Sequence, residues 1–393
     1  MRVLVSFYLY PMSIPGAIVW ISLSFLAYTY LVYPLLMGLL VVLKGKKSWS
    51  TPNPWPAFSL IIPAYNEKSV LPEKIANTLA LDYPEHLVEI ILITDGSTDH
   101  AHLIDWGPRV HVLHQPERKG KAAAIHRALS VAKNPFILLT DANTLLTPNV
   151  LRSFASRFTE KNISAVSGEK KVQTLGHASQ TNEGVYWRYE SKVKYWEAEV
   201  YTLTGAAGEL MAFRRDAYAP IPEDSILDDL AMSVQFLKNG QRMAYASEAC
   251  AIEAPSPDLQ SEFERKIRIA AGVFQAIPRM MHIWSPWPYP LRSFQFISHR
   301  LLRWVVAPLA VWTGPVALLF CHSENPALRL LSWTWGGFLL LATTGWLTRN
   351  ARIPLPGFYV PFYFMMMHLA FPLGFWRFIR KKQTVLWTKI TRS

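Results

Sequence analysis

Three short segments of this sequence hold carboxylates where a reaction could use them. Asp95-Gly96-Ser97-Thr98-Asp99 follows the apolar run Val88–Thr94, Asp141-Ala142-Asn143 follows Phe136–Thr140, and the pair Asp228-Asp229 opens a stretch with helical spacing. A further run, Phe58–Pro63, leads into Ala64-Tyr65-Asn66-Glu67. Oxygen donors two residues apart, such as Asp141 and Asn143, suit a hard divalent cation that takes its other ligands from phosphate. A carboxylate at a helix start suits taking a proton from a hydroxyl, a step worth roughly 10²–10⁴-fold in rate. Glu262–Met281, with Arg265, Lys266, Arg268 and Arg279 at its polar positions, reads as a basic amphipathic helix on a membrane surface. Cations accompany the carboxylates in Arg118-Lys119-Gly120-Lys121. Together these groups fit a metal-bridged pyrophosphate. Each also has an ordinary reading. Asp-Gly-Ser is common turn chemistry, Asp-Ala-Asn can cap a helix, and Asp228 and Asp229 favour the positive end of one.

The elements that must position these groups alternate. Short apolar runs at Phe58–Pro63, Val88–Thr94, Val110–His114, Phe136–Thr140 and Ile163–Ser167 read as buried strands. Val70–Leu81, Lys121–Ala132 and Val150–Phe158 between them read as helices. That order predicts an α/β fold with a mostly parallel sheet covered on both faces. Ligands in such sheets sit at the carboxyl ends of the strands, where the acidic segments lie. Neither G-x-G-x-x-G after the first strand nor G-x-x-x-x-G-K-[ST] occurs, which disfavours a nicotinamide enzyme and a P-loop ATPase. The stripe Val185, Tyr189, Val193, Trp196 and Val200 reads as helix packing.

The composition is that of a membrane-associated chain. Of 393 residues 51% are hydrophobic and 17% charged, against about 25% charged in an average soluble protein. Disorder is excluded by the hydrophobicity, and a disulfide-rich module by the presence of only Cys250 and Cys321. No charge occurs from Val3 to Leu43. Ile14–Leu43 as a helix is ~45 Å long, enough to span a bilayer with tilt and longer than a signal-peptide core. Trp304–Cys321, Leu330–Thr348 and Ile353–Trp376 are three more uncharged blocks, each near the roughly 17–25 residues a span needs. Lys44, Lys46 and Lys47 after the first span put the following domain in the cytoplasm. Four crossings would then leave the tail outside, although Arg377, Arg380, Lys381 and Lys382 favour inside. Either one block is interfacial or re-entrant, or the tail is translocated against the charge bias. Thr51–Pro56, with three prolines, reads as a stiff linker. The net charge of +12 clusters beside apolar spans, so the expected partners are membrane lipids and not nucleic acid.

In this order, the segments from about Phe58 to Gly272 resemble the membrane-bound family two glycosyltransferases, the cellulose, chitin and hyaluronan synthase superfamily. The resemblance implies a GT-A-type α/β domain with flanking transmembrane helices. The expected organisation is an anchor at 1–50, the glycosyltransferase domain at 51–261, amphipathic interfacial helices at 262–300, transmembrane helices at 301–380 and a tail at 381–393. The implied activity is inverting transfer of a sugar from a cytoplasmic nucleotide-sugar, a UDP-sugar, to a growing polysaccharide or lipid-linked glycan. The expected location is the cell membrane, with several passes. Single transfer to a lipid, or a non-catalytic protein that binds nucleotide or glycan, are the alternatives. By matched motif, Asp229 is the catalytic base. Glu67, Asp95, Lys121, Arg265 and Arg268 meet the nucleotide-sugar. Asp141 and Asn143 hold a divalent cation, Mg or Mn. Two positions depart from the family pattern. Asn143 stands where the second aspartate is expected, so restoring that carboxylate should tighten the metal. Ile269 stands where the family has a tryptophan at the acceptor site.

Overall fold

A computed structural model describes residues 13–172, 178–254, 258–321, 325–349 and 356–386. Arg2, the side chain of Val185 and tail residues 387–393 lie outside the described residues. The chain forms two compact units, one of Met1–Leu35 and Ser298–His368, the other of Leu36–Ile297 and Leu369–Ser393. This division interleaves segments of the chain.

The larger unit is built on one eight-stranded sheet. Its strands are β1 (Phe58–Ala64), β2 (Val88–Asp95), β3 (Val110–Gln115), β4 (Phe136–Thr140), β5 (Thr144–Leu146), β6 (Ile163–Val172), β7 (Leu210–Arg214) and β8 (Arg242–Glu253). They lie in the order β3-β2-β1-β4-β7-β6-β8-β5. Every residue of β1 is buried, as a strand covered on both faces requires. The β3-β2-β1-β4 half is parallel. The other half is mixed: β7 runs antiparallel to both β4 and β6, β5 runs antiparallel to β8, and β6 pairs β8 in parallel. Six strands point the same way, as a mostly parallel sheet requires, and β7 and β5 run against them. β7 inserts between β4 and β6.

The helices Leu71–Leu79, Lys121–Val131 and Val150–Arg157 connect and cover these strands. Leu71 and Ile75 pack with Ile62, Ile90 and Leu92, and Val150, Leu151 and Phe154 pack with Phe58, Leu138 and Ala244. The segment before β1 is strapped to the domain. Tyr83 Oη donates to the Pro56 carbonyl at 2.6 Å, and the Lys47 amide donates to Glu199 Oε2 at 2.7 Å. Trp196 of the stripe stacks beside Gly38, where a Cβ would come within 3.2 Å of the indole.

The Leu259–Ala276 helix begins at Asp258, whose side chain accepts the Ser261 amide. Its apolar face, expected to lie on a membrane surface, meets another helix. Phe274 packs against Phe371 and Phe375 with ring centroids 4.9 and 4.8 Å apart. Gly374 lets the Ala270 backbone region approach so closely that an added Cβ would be 2.5 Å from the Ala270 Cβ.

In the smaller unit, Val19 clusters with Ala317, Leu318 and Leu328. Tyr28 Oη bonds Ser298 Oγ at 2.8 Å and Tyr30 Oη bonds His368 Nε2 at 3.3 Å, pinning apolar helices through polar side chains. Among the described residues, three helices are long and apolar enough to cross a membrane. They are Ile14–Lys44, Pro290–Leu319 and Gly357–Ile379, of 31, 30 and 23 residues. Pro326–Leu347 is also a helix, diluted by Arg329, Ser332 and several Thr, Trp and Gly residues.

Candidate active site

The loops after β1 and β2 are laced together. Asn66 adopts φ 53°, and its Oδ1 accepts the Thr98 amide at 2.7 Å while Asp99 Oδ2 accepts the Lys68 amide at 2.8 Å. Asp95, 1% exposed, turns inward. Its carboxylate accepts the Lys119 amide at 3.0 Å, the Gly120 amide at 2.6 Å and Arg127 Nη2 at 3.0 Å. Asp95 thus fastens the Arg118–Lys121 segment to the strand end. Gly96, at φ 66°, lets that segment pass, since a Cβ there would be 2.5 Å from the Arg118 Cβ. The Arg118 guanidinium lies over the Tyr65 ring at 3.5 Å. Glu67 uses its carbonyl to accept the Val70 and Leu71 amides at the start of the Leu71–Leu79 helix.

Lys121 is the first residue of its helix and joins two of the acidic segments. Its Nζ lies 2.7 Å from Asp141 Oδ1 and 3.5 Å from Asp228 Oδ2. Burial opposes the Lys121 charge, but Asp141 and Asp228 outweigh burial and raise its pKa. Burial pushes the Asp141 carboxyl up, and Lys121 pulls it back. Beneath Asp141 lies Lys74, fully buried, donating to Thr140 Oγ1 at 2.8 Å and to the Thr144 carbonyl at 2.7 Å. Burial drives the Lys74 pKa down to about 7 against the pull of Asp141 and Glu67. Asn77, one turn on, brackets Leu146 through both its amide atoms. The turn between β4 and β5 is therefore pegged from below by one helix face.

Asp229 sits in the first turn of the Asp228–Phe236 helix, and its Oδ1 accepts the Leu230 amide at 2.8 Å. Gly208 backs it so closely that a Cβ would be 3.2 Å from the Asp229 Cβ. Burial, Asp228 and Glu209 raise its pKa to about 6. The Leu259–Ala276 helix and the Ile277–Met280 turn after it hold the chain that delivers it. Gln275 Oε1 accepts the Ile226 amide at 2.9 Å, Arg279 pairs with Asp224 at 2.6 Å, and Gly272 admits the Leu227 side chain.

A second set of ions borders the first. Lys170 Nζ pairs with both Glu209 Oε1 and Glu253 Oε2. Against burial, Lys170 holds the Glu209 carboxyl down at about 2. Glu253 Oε1 accepts Asn143 Nδ2 at 3.3 Å. Arg265 donates two bonds to Glu262, both at 2.9 Å. Arg268 is half-buried.

The structure thus brings Lys121, Asp141, Asp228 and Asp229 into one electrostatic cluster. It ties Asn143 to Glu253, places Arg265 beside Glu262, and gives Asp95 and Glu67 loop-holding bonds. Lys74, Lys170, Glu209 and Glu253 were not singled out from the sequence. Of these only Lys74 left a trace, as a lysine on the apolar face formed by Leu71, Ile75 and Thr78. Among the described residues no group of three or more His, Cys, Asp or Glu could hold a metal by itself. One carboxylate and one amide oxygen at the end of β4 do fit a hard cation that completes its shell with phosphate and water.

Residues 56–306 match the sequence pattern described as glycosyltransferase like family 2. Similar curated proteins include the N-acetylglucosaminyltransferase of Mesorhizobium japonicum, 23% identical over 244 residues, covering 57% of each chain. The N-acetylglucosaminyltransferase of Rhizobium meliloti is 22% identical over 292 residues, 68% of this chain and 67% of that one. Cellulose synthase 2 of Novacetimonas hansenii is 21% identical over 68% of this chain but only 17% of its own length. The chain therefore spans little more than half of the Mesorhizobium relative and a small part of the synthase. Among solved structures, the mannosyltransferase PcManGT from Pyrobaculum calidifontis, in complex with GDP-Man and Mn²⁺, superposes with a TM-score of 0.70 at 20% identity. That match covers 93% of this chain and 99% of the other, and shows a shared fold.

Proposed function

This chain belongs to glycosyltransferase like family 2, and on that basis we propose that it is an inverting membrane glycosyltransferase. The donor is a nucleotide-sugar, a UDP-sugar, and the acceptor is a hydroxyl of a growing polysaccharide or lipid-linked glycan. The observation that carries this is the convergence of Lys121, Asp141 and Asp228 beside Asp229, whose pKa is raised to about 6.

Lys121 and Arg268 bind the diphosphate, with Lys121 at the start of a helix whose free amides favour anions. Asp95 keeps the Arg118–Lys121 segment in place through its three bonds. Asp229 takes the proton of the acceptor hydroxyl as that oxygen forms its bond to the anomeric carbon. The bond from that carbon to the diphosphate oxygen breaks in the same displacement, so the configuration inverts. A carboxylate with a pKa near 6 is a stronger base than an ordinary aspartate yet ionised at neutral pH. A divalent cation, Mg²⁺ or Mn²⁺, held by Asp141 and Asn143, would offset the charge that develops on the departing diphosphate.

Membrane topology follows from counting three crossings instead of four. With Lys44, Lys46 and Lys47 on the cytoplasmic side, crossings at Ile14–Lys44, Pro290–Leu319 and Gly357–Ile379 return Arg377, Arg380, Lys381 and Lys382 to that side. The charge conflict of the four-span reading then disappears, and Pro326–Leu347 need not cross.

The test is to incubate the purified full chain in detergent with Mn²⁺ and a panel of UDP- and GDP-sugars. Release of nucleoside diphosphate is followed, and the product anomer is assigned by NMR. Release from a UDP-sugar with inversion is the expected result. Release from a GDP-sugar alone corrects the donor, retention overturns the displacement, and binding without release favours a non-catalytic protein.

A further inference from the structure

We propose that Glu253 is a positioning residue for Asn143, and that this pairing makes asparagine the working residue at a position where a second carboxylate would fail. The inference rests on the reading of Asp141 and Asn143 as the groups that hold the cation.

Strand pairing creates the juxtaposition. β5 and β8 are antiparallel with Thr144 opposite Glu253, so the last residue of β8 lies beside the turn that carries Asn143. The Glu253 side chain is 11% exposed, and one of its oxygens is taken by Lys170. The other accepts Asn143 Nδ2 at 3.3 Å. An ionised carboxylate only accepts, so the amide atom facing it must be the nitrogen. The amide is planar, and its oxygen consequently points away from Glu253. Glu253 thereby sets the orientation of the oxygen available to a cation, as partners behind metal ligands commonly do.

A carboxylate in place of the Asn143 amide would meet Glu253 with no proton between them. Two like charges at that separation in a poorly solvated site repel strongly. Lys170 is already shared between Glu253 and Glu209, and Arg265, whose charge also acts on both, is engaged by Glu262. The introduced carboxylate would rotate away from Glu253 and lose the orientation that a cation ligand needs. The simple expectation from sequence, that Asn143→Asp tightens the metal, is therefore reversed.

The experiment compares the full chain with Asn143→Asp, Glu253→Gln and the double variant, which restores both the net charge and a donor–acceptor pair with the roles exchanged. The readout is Mn²⁺ binding in the presence of a nucleoside diphosphate, from the electron paramagnetic resonance signal of free Mn²⁺. Asn143→Asp should weaken Mn²⁺ about 10–100-fold, the usual cost of disturbing a ligand's support. The double variant should return to within about threefold of the parent. Mn²⁺ binding by Asn143→Asp as tight as the parent's, with parent binding intact, overturns this inference alone. A parent that binds no Mn²⁺, or whose binding survives Asp141→Ala, overturns the cation reading and the inference with it. Should Asn143→Asp fail to fold, recovery of folding and Mn²⁺ binding in the double variant supports the pairing, and failure to recover overturns it.

Discussion

Asp229→Asn should raise the stability of the protein while removing its turnover. The half-buried carboxyl, raised by burial and by Asp228 and Glu209, has a pKa of about 6 where an ordinary aspartate has 3.8. Each pH unit of that difference corresponds to about 1.4 kcal/mol, so keeping Asp229 ionised costs the folded state up to about 3 kcal/mol. A raised carboxylate pKa means that the folded state holds the proton longer. The cost is fully present above pH 6, fades as the pH falls from about 6 to about 4, and is absent below that. Asparagine carries no charge to bury and can still accept the Leu230 amide through its oxygen. It gives up the attraction of a negative charge to the helix start, worth about 0.3–1 kcal/mol. The net expectation is a gain of about 2 kcal/mol at pH 7.5 that vanishes near pH 4. The assay is the half-unfolding temperature in detergent at several pH values, beside donor affinity and turnover per folded molecule. Turnover should fall by roughly 10²-fold or more with donor affinity nearly unchanged, the scale of losing a general base. A variant that is less stable at pH 7.5, or equally shifted at pH 7.5 and pH 4, would refute the buried-charge argument. One that turns over normally would refute the base.

The parent's kcat/KM should rise about tenfold per pH unit below 6 and level off above it, which a pH–rate profile at subsaturating donor checks. Arg268→Ala should weaken nucleoside diphosphate binding by at least about tenfold, measured by calorimetry, because it removes a charged phosphate contact. Gly272→Ala would bring a methyl within 2.6 Å of the Leu227 side chain. It should destabilise by about 1–3 kcal/mol and lower turnover, since Leu227 precedes the Asp228-Asp229 pair. Thr51→Cys should react with a membrane-impermeant maleimide only after the membrane is opened from the cytoplasmic side, over the background of Cys250 and Cys321.

β1, β2 and β4 were legible in the sequence because strands buried on both faces read as unbroken apolar runs, whereas β3, exposed at His111 and His114, was marked by Val110, Val112 and Leu113 alone. β8 was hidden by its composition. In Arg242–Glu253, small alanines and a cysteine fill the interior positions, so no β-branched run marks it. β5 has three residues, too few for a pattern. The acidic segments could be read as one site because the ends of adjacent parallel strands lie side by side whatever the side chains do. Their partners could not. Lys170, Glu209 and Glu253 meet through the register of β6 on β8 and the insertion of β7, neither of which is marked locally in the chain. Asp95 shows the same limit. Its position after β2 was evident, but its inward turn depends on where the Arg118–Lys121 segment crosses Gly96.

The Leu259–Ala276 helix has neighbours on two flanks, each admitted by a glycine. Gly272 receives Leu227, just before the candidate base, and Gly374 of the Pro356–Ile379 helix receives Ala270. A close-packed interior transmits displacement with little loss. Ala270 and Gly272 lie within one turn of each other, so the two neighbours press on opposite sides of the same turn. A methyl group at Gly374 would therefore shift the approach to the Asp228-Asp229 pair without touching either aspartate.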